Sequence, residues 1–169
     1  MMKTLNISQI QFEAKSTPQK NAVLLKKYFE KTKKFDPNLI CTPECSNIIT
    51  SDINYLKKNT TFEKDCPIIN MAKLYAKENN TNINIGSLLL KVKNKKKLVN
   101  RSFFINSKGK IVKKYDKIHM FDVNINKRET HKESDTFQAG KNIVLLNIDK
   151  IKIGFTICYD LRFPNLFRK

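Results

Sequence analysis

Three side chains with reactive ends each follow an apolar run. Glu44 follows Leu39-Ile40-Cys41-Thr42-Pro43, Lys117 follows residues 111–116 (IVKKYD), and Cys158 follows Ile153-Gly154-Phe155-Thr156-Ile157. In α/β sheets ligands gather at the carboxyl ends of strands, so strand-ending residues from distant segments can meet at one edge. A carboxylate, an ammonium and a thiol in one dry pocket form a hydrolytic set. The thiol is the nucleophile, with its pKa expected to be lowered by the lysine charge. The carboxylate moves protons and the lysine stabilises a developing oxyanion. Ordinary roles fit the same residues. Glu44 also reads as a helix-capping acid, Lys117 as one of many surface lysines and Cys158 as a small core residue.

The elements that would position them follow from periodicity. Residues 4–12 alternate apolar side chains (Leu5, Ile7, Ile10, Phe12) and predict a strand. Thr17-Pro18 supplies an N-cap and a first-turn proline for a helix over 19–33, whose apolar face is Ala22, Leu25, Tyr28 and Phe29. Residues 38–42 predict a short buried strand. A second helix starts near Pro67, buries Ile68, Ile69, Ala72, Tyr75 and Ala76, and stops at Asn79-Asn80. Strands are expected over 82–90, 98–106 and 110–115, with Ser107-Lys108-Gly109 as a turn. Residues 122–140 read as a polar loop. Strands over 142–148 and 151–158 flank an Asp149-Lys150 turn, and a helix begins at Asp160. The order predicts an α/β layout, one sheet covered by helices on one face, with no internal repeat or linker and so a single domain over 1–169.

Composition removes several function classes. The 169 residues carry a net charge of +18, but 29 of the 33 basic residues are Lys and only 4 are Arg. Lys, Asn and Ile number 29, 19 and 19, all types with A/T-rich codons, so nucleotide bias accounts for the skew without a dedicated partner. A nucleic-acid groove favours Arg and interleaved aromatics. A basic nucleic-acid-binding module therefore stands as a second alternative, and no specific nucleic-acid partner is expected. The run 91–97 (KVKNKKK) reads as a solvated turn between strands. Four glycines exclude a glycine-rich phosphate loop, since Asp135 stands where Gly140-Lys141 would need a P-loop's first glycine. Cys41, Cys45, Cys66 and Cys158 contain no C-x-x-C pair and lie far from His119 and His131, so free thiols are expected rather than a zinc site. No apolar run approaches membrane-spanning length, and residues 1–12 lack a signal peptide's apolar stretch. A cytoplasmic domain with no membrane partner is expected.

Motif text supplies what spacing leaves open. Residues 154–164 (GFTICYDLRFP) resemble the nucleophile region of the carbon–nitrogen hydrolase, or nitrilase, superfamily. Residues 115–122 (YDKIHMFD) resemble its lysine motif and 39–44 (LICTPE) its glutamate motif, in the family's order. Asn100-Arg101-Ser102-Phe103-Phe104 before Gly109, and Glu133-Ser134 before Gly140, match as well. The resemblance implies the N-terminal part of an α-β-β-α sandwich, incomplete at the C-terminus. It implies hydrolysis of a small non-peptide amide or nitrile with release of ammonia. Cys158 would form a thioester, with Glu44 as general base. Lys117 and the Tyr159 backbone N–H would hold the oxyanion, and Glu133 would orient Lys117. No metal or organic cofactor is implied. The 161–164 text (LRFP) is most similar to the branch acting on small ω-amides, where Arg162 would pair a substrate carboxylate; a structural contact with Asp160 is the alternative for that arginine.

Two positions depart from the family pattern. Asp116 stands where arginine is frequent, beside Lys117, and Asn165 replaces a glutamate. The family domain continues well past the nucleophile, and this chain has eleven residues after Cys158. An exposed sheet face is therefore expected, with a homodimer or complementing chain to cover it. An inactive truncated remnant, or one subunit of a split enzyme, is the first alternative function.

Overall fold

Apolar residues at alternate strand positions need cover on both faces of a sheet, and the chain provides two different covers. The computed structural model describes residues 4–126, 129–148 and 150–168. Strand β1 (Ile7–Gln9) leads to helix α1 (Pro18–Thr32), capped by Thr17, whose hydroxyl accepts from the Lys20 N–H. Strand β2 (Leu39–Cys41) follows, then a short helix α2 (Ile53–Asn59) and helix α3 (Pro67–Glu78). Strands β3 (Asn82–Leu90), β4 (Val99–Ile105) and β5 (Ile111–Asp116) complete one sheet in the order β1-β2-β3-β4-β5. The first three strands run parallel, and β4 and β5 pair antiparallel.

Helices α1 and α3 lie on one face of this sheet. Leu25, Phe29, Ile68, Ala72 and Ala76 pack there against Ile40, Ile83, Ile85, Phe103 and Ile105, all fully buried. The neighbouring strand positions point the other way. Leu39, Phe104 and Tyr115 pack against Phe155 and Ile157, which follow a hairpin of β8 (Leu145–Ile148) and β9 (Ile151–Gly154). One face is thus covered by helices, and the other, expected to stand exposed, is covered over Leu39, Phe104 and Tyr115 by a two-stranded second layer. This is the mixed α/β arrangement expected, with a short C-terminal part.

Several boundaries differ from the sequence reading. The expected strand 4–12 pairs only over Ile7–Gln9, because parallel partner β2 is itself three residues long. The expected polar loop 122–140 instead holds a hairpin of β6 (Asp122–Asn126) and β7 (Glu129–Lys132), then one turn of helix α4 (Glu133–Thr136). A polar contact ties the hairpin to that helical turn: Asp122 Oδ1 accepts the Ser134 N–H at 2.9 Å. The expected strand 151–158 stops at Gly154, after which Phe155 N–H turns to Val144 O at 3.2 Å. Cys158–Arg162 is a 3-10 turn, and the expected helix from Asp160 shrinks to α5 (Pro164–Phe167). Asp149 of the expected hairpin turn lies outside the described residues. Helix α2 has only Leu56 buried, so no periodic face announces it; Asp52 starts it by accepting the Asn54 and Tyr55 N–H groups.

Candidate active site

Glu44 sits on the turn after β2. The Cys45 N–H donates to Ser87 Oγ and the Ser46 N–H to Ser87 O, both at 2.9 Å, while Asn47 exchanges hydrogen bonds with both backbone groups of Leu89. The turn lies directly on β3, and Gly86 permits that approach: a Cβ there would stand 2.1 Å from Thr42 O. Lys117 follows β5. Its N–H donates to Asn100 O at 3.0 Å and its carbonyl accepts the Gly140 N–H at 2.8 Å. Cys158 opens the 3-10 turn with φ +49°, in the left-handed region.

These three residues converge, and a fourth joins them. The Lys117 ammonium, with its side chain 3% exposed, donates to both oxygens of Glu133 at 2.9 Å and to Glu44 Oε1 at 3.3 Å. Glu133 Oε2 also accepts the Phe121 N–H at 2.6 Å, which fixes the carboxylate in turn. Burial pushes the Lys117 pKa down, but hydrogen bonds to Glu133 and the charges of Glu44 and Glu133 outweigh it, so the ammonium ionises above its ordinary value. Lys117 is a held, permanent cation.

The thiol behaves differently from the sequence expectation. The Cys158 pKa is raised, not lowered. Partial desolvation acts first, and the Glu44 charge and its hydrogen bond to the thiol add to it, outweighing the opposing effect of Lys117. Two carboxylates surround one ammonium, so little positive field is left at sulfur to offset that desolvation. The resting pair is a neutral thiol facing a carboxylate. Asp116, the acid beside Lys117, pairs instead with Arg101 through two hydrogen bonds.

Around this centre lies a cleft of about 1000 Å³. Glu44, Asn100, Lys117, Glu133 and Cys158 form its polar end, and Ile48, Ile53, Leu89, Phe121 and Phe137 give it apolar walls. Asn100 is the residue that sequence reading left without a role. It is buried, and its Nδ2 donates to Glu44 Oε1 at 2.8 Å. With Lys117 on the same oxygen, Oε2 is left for the thiol proton. The signal was a single amide inside an apolar strand, since β4 reads VNRSFFI. Cys45 also lines the cleft, but burial raises its pKa strongly.

The remaining expected residues are near but outside the cleft lining. Tyr159 is half-buried, its ring edge-on to Phe121 and Phe163 at 5.0 and 5.3 Å; its N–H follows the nucleophile directly. Arg162 is exposed and has no ion-pair partner among the described residues. The alternative contact with Asp160 does not form, because that buried carboxylate already accepts from Tyr115, His119 and Ile157. Among the described residues no group of His, Cys, Asp and Glu is arranged to hold a metal ion, and no helix is long and apolar enough to cross a membrane.

Residues 5–169 match the family model for carbon-nitrogen hydrolase. Nitrilase homolog 2 of Dictyostelium discoideum is 32% identical over 97% of this chain and 49% of its own length. Deaminated glutathione amidase of the same organism is 32% identical over 99% of this chain and 60% of its own length. Omega-amidase NIT3 of Saccharomyces cerevisiae is 31% identical over 89% and 54%. The chain spans about half the length of the curated relatives it matches. Among solved structures, an amidase of Nesterenkonia sp. AN1 superposes with a TM-score of 0.80 at 16% identity, covering 98% of this chain and 61% of that one. The NitFhit protein of C. elegans gives 0.78 at 24% identity, over 98% and 41%; both likenesses bear on the fold alone. With a family model matched from residue 5 to residue 169, the chain belongs to the carbon–nitrogen hydrolase family.

Proposed function

We propose that this chain carries the reaction centre of an amidase-type carbon–nitrogen hydrolase acting on a small non-peptide amide. The observation that carries the reading is the meeting of Glu44, Lys117 and Glu133 side chains with the Cys158 thiol at one end of an apolar-walled cleft. Because the resting sulfur is protonated, attack and proton transfer are coupled. Cys158 Sγ bonds to the amide carbon as its proton passes to Glu44. The carbonyl electrons move to oxygen, where the Lys117 ammonium and the Tyr159 N–H stabilise them. Collapse breaks the C–N bond, Glu44 returns the proton to nitrogen, and ammonia leaves a thioester on Cys158. Water, deprotonated by Glu44, then attacks the thioester; the carboxylic acid departs and the thiol is restored. Glu133 holds Lys117 in place and takes no proton.

Relatives named omega-amidase and deaminated glutathione amidase support an amide as substrate over a nitrile. We assign Arg162 to a distal substrate carboxylate, reached by a substrate long enough to project out of the cleft. Leu161, 73% exposed, and Phe167, 54% exposed, favour a working form in which a second copy or complementing chain covers the cysteine turn. A cytoplasmic location goes with this reading.

The test is to incubate the purified chain with small ω-amides, follow ammonia release and read acyl adducts by mass spectrometry. An adduct on Cys158, with release abolished in Cys158→Ala, is expected. An adduct on Cys41, Cys45 or Cys66, release that survives Cys158→Ala, or no release from any amide overturns the reading.

A further inference from the structure

We propose that Asp160 is a positioning residue that staples the Cys158 turn to the Lys117 segment and so sets where the thiol stands relative to the ammonium. The proposal rests on the amidase reading above and concerns a residue outside the cleft lining. Asp160 lies two positions after Cys158 and is fully buried. Its Oδ2 accepts the Tyr115 hydroxyl at 2.6 Å and the Ile157 N–H at 2.9 Å. Its Oδ1 accepts the His119 N–H at 2.9 Å and lies 2.7 Å from His119 Nδ1, which donates when it carries the proton. Tyr115 and His119 stand two residues before and two after Lys117, and Ile157 directly precedes Cys158. One carboxylate therefore grips both flanks of the cation and the entry to the nucleophile.

The chemistry of the site calls for a carboxylate. Four donors converge on two oxygens, and an ionised Asp accepts at both. An asparagine offers one oxygen, and its amide NH₂ would face a backbone N–H in either orientation: that of His119 on one side, that of Ile157 on the other. The substitution must therefore release either the lysine segment or the cysteine turn. That turn needs holding, since a non-glycine residue at φ +49° is disfavoured by its own Cβ. The His119 ring is stacked on Phe163 at 3.6 Å with 9° between planes, so the far end of the turn is gripped from the same segment.

Alkylation of Cys158 by iodoacetamide, followed peptide by peptide across the neutral-to-alkaline range, tests the staple without amide turnover. The groups facing the thiol are Glu44, Lys117, Glu133 and Cys45, and burial with Glu44 keeps its proton on. In Asp160→Asn the turn loosens and the thiol leaves Glu44. The alkylation midpoint then falls toward that of a free thiol, and Cys158 reacts several-fold faster at neutral pH, with Cys41 and Cys66 unchanged. Tyr115→Phe removes a single hydroxyl from the staple and gives the same shift, smaller; it decides the matter if Asp160→Asn does not fold. A Cys158 midpoint and rate within about twofold of wild type in every folded variant overturns the proposal. Amide turnover separates the two readings. Where wild type releases ammonia, displacement of the nucleophile lowers kcat by about 10²-fold at unchanged KM, and unchanged kcat overturns the staple. Where wild type releases none but the alkylation shift appears, the staple stands and the amidase reading falls.

Discussion

The two ends of this molecule bury side chains to similar depth for opposite reasons. On the helix-covered face of the sheet Leu25, Phe29, Ile68 and Phe103 are removed from water and pack their side chains in one apolar cluster. At the cleft end Lys117, Asn100, Asp160, Ser46 and Asn47 are equally removed from water, and each side chain hydrogen-bonds to directed polar partners, with Asn100 Oδ1 left without one. A residue of the first kind contributes through area and fit, and its neighbours can relax around a loss. A residue of the second kind is tied by direction to two or three others, so its loss moves geometry before it moves stability. Substitutions at the two ends should therefore be separable by what they change.

The largest effect is expected at Lys117. In Lys117→Met, Glu44 and Glu133 face each other with no cation between them. Breaking a buried ion pair from one side costs about 3–5 kcal/mol, and loss of the oxyanion partner lowers turnover about 10²–10³-fold. Because Lys117 is the group that opposes the rise in the Cys158 pKa, the alkylation midpoint should move further up. Urea melts, ammonia release and alkylation kinetics on the same preparation check all three; a midpoint that falls breaks the electrostatic account of the site.

Phe103→Ala is the matching substitution on the helix face. Removing a fully buried aromatic side chain there costs roughly 3–5 kcal/mol. The alkylation midpoint of Cys158 in the folded fraction should stay where it is, since Phe103 packs in the apolar cluster beneath the helices. A shifted midpoint would mean that the two ends are mechanically coupled through β4, and the contrast drawn above would fail.

The same contrast explains what could be read from the chain beforehand. Helices α1 and α3 and strand β3 are visible because apolar side chains recur at helical or alternating spacing, while β4 and β5 are visible as runs on either side of the Ser107-Lys108-Gly109 turn. The hairpin β6–β7 and helix α2 lack such a pattern; side-chain caps such as Asp52, and Asp122 on Ser134, hold them, and those look like any loop acids. Glu44, Lys117 and Cys158 stand out in the text only because they follow apolar strands and occur in familiar motifs. The sign of the Cys158 shift was not legible. It depends first on how far the folded chain removes the thiol from water, then on the thiol lying against Glu44, and last on Glu133 arriving beside Lys117 from a segment that reads as loop.

Asn100→Ala sharpens the cleft side of the comparison. A hydrogen bond to a charged group is worth about 1.5–3 kcal/mol, so turnover should fall roughly 10- to 100-fold as Glu44 loses the donor that fixes its Oε1. The variant leaves Oε1 with Lys117 alone, and stability should change less than in Phe103→Ala. Equal loss of stability with full turnover would make Asn100 a packing residue of β4.

The smallest effect concerns the thiols themselves, which divide the same way. Cys158 is exposed to reagents, whereas Cys66 is buried and Cys41 and Cys45 are partly covered. Burial raises Cys41 from 9.0 to about 11, against a weaker opposing hydrogen bond with Asn84. The unfolded chain ionises this thiol from about pH 9 upward, while the folded chain keeps its proton until about 11. Its contribution is therefore complete below about pH 9 and is lost progressively as pH rises toward 11. At one pH unit past the unfolded value the loss from Cys41 is about 1.4 kcal/mol. The raised Cys66 adds to it in the same direction. Cys41→Ala should flatten that part of the alkaline stability curve measured by urea melts. A wild-type curve that holds level from pH 9 to 11, or a Cys41→Ala curve parallel to the wild type over that window, would place this thiol in water rather than in the wall between β2 and the second layer.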